Sequence, residues 1–391
     1  MKSAHLTQPM LSQADQPLTL LGGLTPQQFL QDYWHKKPLL IRQAIPDFVG
    51  LLSPNELAGL ACEEDVQSRL VLQRGQQWHL EQGPFAESRF AKLPERDWTL
   101  LVQSVNHHLP SAQALLRQFN FLPYARLDDL MVSYAPDGGG VGPHFDSYDV
   151  FLLQGMGHRL WRISEQEDLS LVEGAPLRIL QHFDTTQEWL LAPGDMLYLP
   201  PHLAHWGIAQ GECMTYSIGF RAPSNQELLQ ALLGFIQQQL SAEGRYADAD
   251  LRFSAEPAAI SSDMVEKVMR LAQQIQIQAD LVAEFLASYL SEPKAHIVLD
   301  LPRKLSFSQF QQRALQHGLM LSAKSILLYH HDHFYLNGER LNVATNSLPL
   351  LRELANLQVL HNTRLSLIKD ENDWQILYQI CIDGGLVFAK Q

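Results

Sequence analysis

The spacing of apolar residues separates a β-rich middle of the chain from helical segments on either side. Between residues 127 and 220, short apolar runs recur roughly every ten residues and are divided by turn residues, which is typical of antiparallel all-β folds. The runs predict strands at residues 130–135, 148–154, 159–164, 189–191, 196–199 and 214–220. This region is therefore predicted to form a β-sandwich or barrel of the jelly-roll type.

Helical patterns surround the β-rich region. Thr25 and Pro26 are the residue types of a helix cap and a first helical position, and residues 39–42 read as a strand after Pro38. Further helices are predicted at residues 54–61, 98–119, 228–240 (opened by the capping box at Ser224) and 264–289. After residue 301, helices alternate with a hairpin at 325–329 and 334–338, which predicts a small α+β module of winged-helix type.

Composition and charge exclude several functional classes. The 391 residues are 46% hydrophobic and 18% charged, as in an ordinary globular protein, and the net charge of −13 disfavours a nucleic-acid-binding surface. The three cysteines lack metal-binding spacing and suit a reducing compartment. The chain begins without an apolar leader and contains no long apolar run. We therefore expect a cytoplasmic protein that does not enter a membrane.

Residues 137–146 (DGGGVGPHFD) contain the strongest chemical signal. His144 and Asp146 are two residues apart, so on an extended backbone their side chains lie on one face and can reach one metal ion. Two histidines and one carboxylate form the facial triad of non-heme Fe(II) oxygenases. Because the chain contains 16 histidines, such pairs also arise by chance, and two others occur, at residues 182/184 and 330/332.

A third ligand is predicted at His205. It follows a turn, a short strand and the proline-rich bend at 200–201, and 59 residues separate it from Asp146, enough for the chain to cross a sheet and return. His202, in the same bend, is predicted to lie near the site or at the surface. The pair at 182/184 resembles the rim of a turn and the pair at 330/332 a hairpin tip, so neither is expected to bind metal.

Several runs resemble the JmjC/cupin-type bacterial ribosomal oxygenases, in particular the subgroup that hydroxylates an arginine of ribosomal protein L-sixteen. These runs are residues 29–42 (FLQDYWHKKPLLIR), 143–154 (PHFDSYDVFLLQ), 157–162 (GHRLWR), 200–205 (PPHLAH) and 216–223 (YSIGFRAP). The resemblance implies a double-stranded β-helix catalytic domain at residues 1–223 with its core at about 127–223, a helical dimerisation region at 224–300 and a winged-helix-like domain at 301–391. It also implies Fe(II), 2-oxoglutarate and O₂ as cofactor and co-substrates, a large-subunit ribosomal protein as substrate, and a homodimer.

The resemblance implies that a basic residue on a core strand binds 2-oxoglutarate, and the matching position is Arg159. The pattern itself agrees, because Arg159 alternates in phase with Trp161 and Ile163, and a guanidinium suits a carboxylate. The in-phase hydroxyls of Thr215 and Ser217 are candidates for a second contact to the co-substrate.

An arginine substrate calls for carboxylates or aromatic faces near the metal. Asp137, Tyr134 and Tyr148 flank the metal motif and are the candidates. An ordinary turn role for Asp137 remains open. The glycines before His144 either admit the substrate backbone or turn the chain.

Two other functions remain open on the sequence alone. A cupin metalloenzyme that does not use 2-oxoglutarate would usually supply mostly histidine ligands, whereas this site has two histidines and an aspartate. A ligand-sensing cupin/winged-helix transcription regulator would need a basic DNA-binding surface. Residues 301–391 carry 9 basic and 7 acidic side chains, so we expect no direct DNA binding.

Overall fold

The computed structural model describes residues 11–75, 77–241, 243–302 and 305–389. Nine antiparallel strands in these ranges form the main sheet, in the order β1-β8-β6-β9-β5-β4-β2-β3 with β7 paired to β6. The strands are β1 (Leu39–Ile41), β2 (Ser68–Arg74), β3 (Gln77–Gln82), β4 (Trp98–Val102), β5 (Leu127–Ala135), β6 (Val150–Ser164), β7 (Gln187–Leu191), β8 (Met196–Leu199) and β9 (Ala204–Phe220). The predicted antiparallel β domain is confirmed.

Helices precede and follow this sheet. They are α1 (Pro26–Asp32), α2 (Pro54–Leu60), α3 (Glu87–Phe90), α4 (Pro110–Leu116), α5 (Asn225–Gln239), α6 (Ser262–Ala272) and α7 (Ala279–Ser291). Capping boxes begin α1 at Thr25 and α5 at Ser224, as predicted, because each side-chain oxygen accepts a hydrogen bond from the backbone N–H three residues later. No described helix has both the length and the apolarity needed to span a bilayer.

The C-terminal part combines four helices with two small sheets. Its elements are α8 (Phe307–His317), β10 (Leu319–Leu321), β11 (Leu327–His330), β12 (His333–Leu336), β13 (Glu339–Arg340), α9 (Leu348–Leu357), β14 (Val359–Leu360), α10 (Asn362–Leu365), α11 (Glu371–Ile382) and β15 (Leu386–Phe388). The predicted hairpin is present as β11 and β12. This part has its own apolar core around Phe310, Leu351 and Leu377, separate from the core of the main sheet around Phe29, Phe151 and Tyr198.

Two element predictions in the N-terminal half were wrong. Residues 98–119 were predicted as one helix, but 98–102 form β4, all of whose residues are buried. A short fully buried run has no alternation, so periodicity cannot separate strand from helix there. The two strands predicted around Gly155 and Gly157 form one strand, β6, with register shifts at Met156. The glycines therefore accommodate a bulge instead of a turn.

The helix predicted at residues 264–289 was also wrong as a single element. It is divided into α6 and α7 by residues 273–278, where glutamine alternates with isoleucine. This period of two interrupts the helical apolar stripe. The second helix packs on the C-terminal hairpin, where the Gly338 backbone N–H donates to Ser291 Oγ at 3.0 Å and Arg340 lies 3.7 Å from Glu284.

Candidate metal centre

The glycine-rich segment before His144 runs along strand β9. The Gly138 N–H donates to the Ala209 carbonyl, and the Ala209 N–H donates to the Gly139 carbonyl, both at 3.0 Å. A Cβ atom on Gly140 would lie 2.4 Å from the Gly207 carbonyl oxygen, so glycine is required for this approach. The glycines therefore let the metal motif lie against the strand that carries His205.

His144, Asp146 and His205 meet at the end of this pairing. The backbones of His144 and His205 exchange two hydrogen bonds, of 2.9 and 2.8 Å, in an isolated antiparallel bridge. One ligand atom from each of the three side chains lies within 4.8 Å of the other two, and His205 Nε2 is 3.6 Å from Asp146 Oδ2. The arrangement can hold a divalent cation from one side, as a facial triad does.

Backbone carbonyls orient both imidazoles. Nδ1 of His144 donates to the Gly142 carbonyl and Nδ1 of His205 to the Leu203 carbonyl, both at 2.9 Å. These bonds place the proton on Nδ1 and leave the Nε2 lone pair for a metal. Burial lowers the pKa of His205 to about 4, so the ring is neutral at physiological pH. Both rings are thus prepared to act as ligands.

The other histidines that the sequence singled out, His182, His202 and His330, are exposed. Among the described residues, the triad is the single cluster of three side chains close enough to share an ion. His182 and His330 are exposed, and Asp332 forms an ion pair with Arg352 at 2.6 Å. His202 is exposed with a left-handed backbone (φ 64°), and its N–H donates to the Asp146 carbonyl at 2.7 Å.

The triad opens into a cavity of about 800 Å³ enclosed by strands β2 to β6 and β9. Arg159 lines this cavity and is 4% exposed. Its Nε and Nη2 atoms are buried without a hydrogen-bond partner among the described residues, and so is Trp161 Nε1 on the same strand. Buried unpaired donors are costly, and a carboxylate would satisfy them. The cavity therefore contains a place for an organic acid beside the metal ligands.

The predicted hydroxyl residues face the same cavity. Thr215 and Ser217 both line it and are buried. Thr215 Oγ1 donates to Gln154 Oε1 at 3.0 Å, which fixes that hydroxyl. The structure thus brings Arg159, Thr215 and Ser217 together with the triad.

The three predicted substrate residues lie in different places. Tyr148 lines the cavity, and the residue as a whole is 41% exposed. Burial of its hydroxyl group and the nearby Asp146 carboxylate raise the pKa of that hydroxyl. Asp137 does not reach the cavity, because its carboxylate accepts from Arg96 at 3.1 Å and from the Gly211 N–H at 2.9 Å. Tyr134 points to the opposite face of β5 and packs on Trp98.

Sequence reasoning missed a different set of cavity residues on β5. Asp129, Met131 and Ser133 alternate along that strand and line the cavity. Asp129 is 8% exposed, and Ser104 donates to its Oδ2 from the backbone N–H and the hydroxyl. Side chains along a strand alternate between its two faces. Taking every second residue of β5 on the face that lines the cavity would have excluded Tyr134 and selected Asp129, Met131 and Ser133.

Family models match two parts of the chain. Residues 114–228 match a JmjC domain, and residues 270–385 match a ROXA-like winged helix. The first match contains the triad and Arg159. The second begins before α7, the helix that packs on the C-terminal hairpin, and it confirms the winged-helix prediction.

Individual relatives extend the similarity over nearly the whole chain. The ribosomal protein uL16 3-hydroxylase of Escherichia coli is 36% identical over 320 residues, which are 80% of this chain and 84% of that protein. The E. coli YcfD structure superposes with a TM-score of 0.83 at 32% identity, covering 93% of this chain and 98% of that one. A YcfD structure in complex with cobalt and 2-oxoglutarate gives 0.81 at 32% identity over 94% and 99%. This chain belongs to the JmjC-domain ribosomal oxygenases.

Proposed function

We propose that this chain is an Fe(II)- and 2-oxoglutarate-dependent oxygenase that hydroxylates an arginine side chain of a large-subunit ribosomal protein. The observation that carries the proposal is the pairing, in one cavity, of a His-Asp-His triad with the buried, unpartnered guanidinium nitrogens of Arg159. The named relative acts on uL16, and we propose the same substrate here.

The donor set fits iron. His144, Asp146 and His205 would hold the metal through two imidazole nitrogens and one carboxylate oxygen, which leaves coordination positions free for co-substrates. The Nδ1 hydrogen bonds to Gly142 and Leu203 keep the two rings in the orientation and protonation state that a metal requires. The protein itself thus positions the three ligand side chains before a metal ion binds.

The cavity also fits 2-oxoglutarate. Arg159 would bind the distal carboxylate, since Nε and Nη2 can form two charge-assisted hydrogen bonds. Trp161 Nε1 supplies a third donor on the same face of β6, and Ser217 and the fixed hydroxyl of Thr215 line the cavity from the neighbouring strand β9. Once bound, iron and 2-oxoglutarate together supply the oxidising power that lets O₂ hydroxylate a C–H bond.

Another part of the cavity wall suits a cationic side chain. Asp129 places a buried carboxylate on it, and Tyr148 places an aromatic ring at its exposed edge. A guanidinium binds both groups well, through charge-assisted hydrogen bonds and over an aromatic face. We propose that these residues orient the substrate arginine, so that one of its carbons lies beside the metal.

The proposal extends to the domain organisation of the chain. The two apolar cores support a catalytic region at 1–223 and a C-terminal region at 301–391, joined by the helices of 224–300. We propose that these helices form a homodimer, because α6 exposes Val265, Val268 and Met269 on its surface. A ribosomal protein substrate supports a cytoplasmic location.

The test combines turnover with mass spectrometry. The protein, Fe(II), 2-oxoglutarate and O₂ are incubated with ribosomal proteins, and succinate and added oxygen are measured. His144→Ala should abolish both, whereas His202→Ala, which changes an exposed neighbour of the site, should retain them. Undiminished turnover in His144→Ala would overturn the metal assignment, and an added oxygen on another protein would overturn the substrate.

A further inference from the structure

A second, much smaller cavity lies between the catalytic domain and the winged-helix domain. It measures about 80 Å³ and is lined by residues of both domains, among them Arg117 and Gln358. A site for one water needs roughly 10–15 Å³ on the same measure, so the cavity admits a small ion with a few waters. Its position makes any bound group part of the domain interface.

Arg117 is the unexplained residue of this interface. It follows α4 and is 9% exposed, and its Nη2 is buried with no hydrogen-bond partner among the described residues. The other two nitrogens meet neutral atoms of the winged-helix domain, with Nε donating to Gln358 Oε1 at 3.2 Å and Nη1 to Met320 Sδ at 3.1 Å. Burial lowers the pKa of Arg117, but a guanidinium stays charged at neutral pH. The domain interface therefore encloses a positive charge that no described carboxylate neutralises.

Three further cations surround Arg117. Arg221, Lys294 and Lys324 also line the cavity. Burial, followed by the charges of His108, Lys294 and Lys324, lowers the pKa of His107, another lining residue, to about 4. Arg221 and Lys294 are paired with Asp128, and Lys324 lies 3.0 Å from Asp300, so Arg117 is the cation of this wall that has no carboxylate partner among the described residues.

The carboxylates in the cavity wall are already engaged. Asp128 lies 2.9 Å from Lys294 and 3.5 Å from Arg221, and Asp129 accepts from Ser104. Burial, followed by the charge of Asp128, raises the pKa of Asp129, whose Oδ2 accepts both hydrogen bonds from Ser104. Water in the cavity could donate and accept hydrogen bonds, but it would leave the charge of Arg117 uncompensated.

We propose that this interdomain cavity binds a small inorganic anion, of chloride or phosphate type, which pairs with Arg117 and fastens the winged-helix domain to the catalytic domain. Neutral contacts already join the domains around the site, with Gln113 Nε2 donating to the Leu321 carbonyl and the Tyr124 hydroxyl to the Asn356 carbonyl, both at 3.2 Å. The anion completes this interface. The smaller cavity shares Asp128, Asp129 and Lys294 with the catalytic cavity, whereas Arg117 lines the smaller one alone.

Anion-dependent unfolding of the full chain tests the proposal in solution. The melting midpoint is followed while chloride, or in a second series phosphate, replaces gluconate at constant ionic strength, since gluconate is too large for the cavity. The unchanged protein should be stabilised in a saturable manner by at least one of the two anions. Loss of one charge-assisted hydrogen bond in Arg117→Met should raise the half-saturating concentration by about tenfold or more. Arg252→Met, at an exposed arginine, should leave it unchanged.

Crystals of the unchanged protein grown in bromide provide the direct readout. An anomalous peak in contact with the Arg117 guanidinium supports the proposal. If the bromide crystals show no such peak and crystals grown in phosphate show no density at this place, the proposal is overturned. Equal anion dependence in Arg117→Met and the unchanged protein likewise overturns it. If Arg117→Met does not fold, the crystallographic result decides alone.

Discussion

Replacing Arg159 by methionine separates co-substrate binding from folding. Without a ligand, Arg159 carries two buried nitrogens that lack partners, so the charge costs stability and receives no compensation from the described residues. Methionine keeps the length of the apolar stem and removes the charge. The free energy of unfolding of the ligand-free protein should therefore stay the same or increase, although the residue is 4% exposed.

The same substitution should strongly weaken 2-oxoglutarate binding. Two charge-assisted hydrogen bonds of about 1.5–3 kcal/mol each contribute about 3–6 kcal/mol, which corresponds to roughly 10²–10⁴-fold in affinity. Calorimetric titration of 2-oxoglutarate into the Co(II)-loaded protein measures this change, and chemical denaturation measures stability. Arg162→Met is the matched control, because Arg162 lies on the same strand but pairs with exposed Glu188 at 3.1 Å. Unchanged 2-oxoglutarate affinity in Arg159→Met would refute the assignment.

Three further predictions, one of them with a control substitution, test the site and its support. Gly140→Ala should cost about 1–3 kcal/mol and weaken metal binding, because its Cβ would meet the Gly207 carbonyl at 2.4 Å. Gly234→Ala, in an open helical position, should be neutral or stabilising in the same denaturation and Co(II) titrations. Trp161→Phe should raise the 2-oxoglutarate requirement about tenfold, since the indole N–H has no described protein partner; unchanged turnover kinetics would contradict this. Asp195→Asn should destabilise the protein by about 1–3 kcal/mol at neutral pH, because the hydrogen bonds to Asp195 favour its charged form. Burial raises the pKa of Asp195, but these hydrogen bonds have the larger effect and hold the pKa below its usual value. This contribution is present above the unfolded-state pKa and is lost as pH falls through the folded-state pKa, so urea titrations should show the difference shrinking in acid; a difference independent of pH would contradict it.

The metal site was predictable because its determinants are local or regularly spaced. His144 and Asp146 lie on one face because side chains on an extended backbone alternate with a period of two residues. The bend at 200–201 indicates that the chain returns to the site at His205. Arg159 followed from alternation on β6 once the family resemblance had indicated a basic residue. In each case the backbone pattern fixes where the side chain points.

The errors arose where tertiary contacts decide. Residues 98–102 become a strand because β2 and β5 pair with them on both sides, and these partners are distant in sequence. Asp137 looked like a substrate ligand because it is close to His144 in sequence, but Arg96 and Gly211 hold its carboxylate elsewhere. Asp129 was missed although the two-residue period of β5 places it on the cavity face, and the burial of Arg117 depends on a domain that begins some 150 residues later.

Isotope labelling of the product tests the central claim most directly. A ribosomal protein uL16 substrate is treated with the protein, Fe(II) and 2-oxoglutarate under ¹⁸O₂, and its peptides are examined by tandem mass spectrometry. The account predicts one labelled oxygen on an arginine side chain, equal in amount to the succinate formed and absent with His205→Ala. No added oxygen, oxygen from water, or the same product with His205→Ala would contradict it.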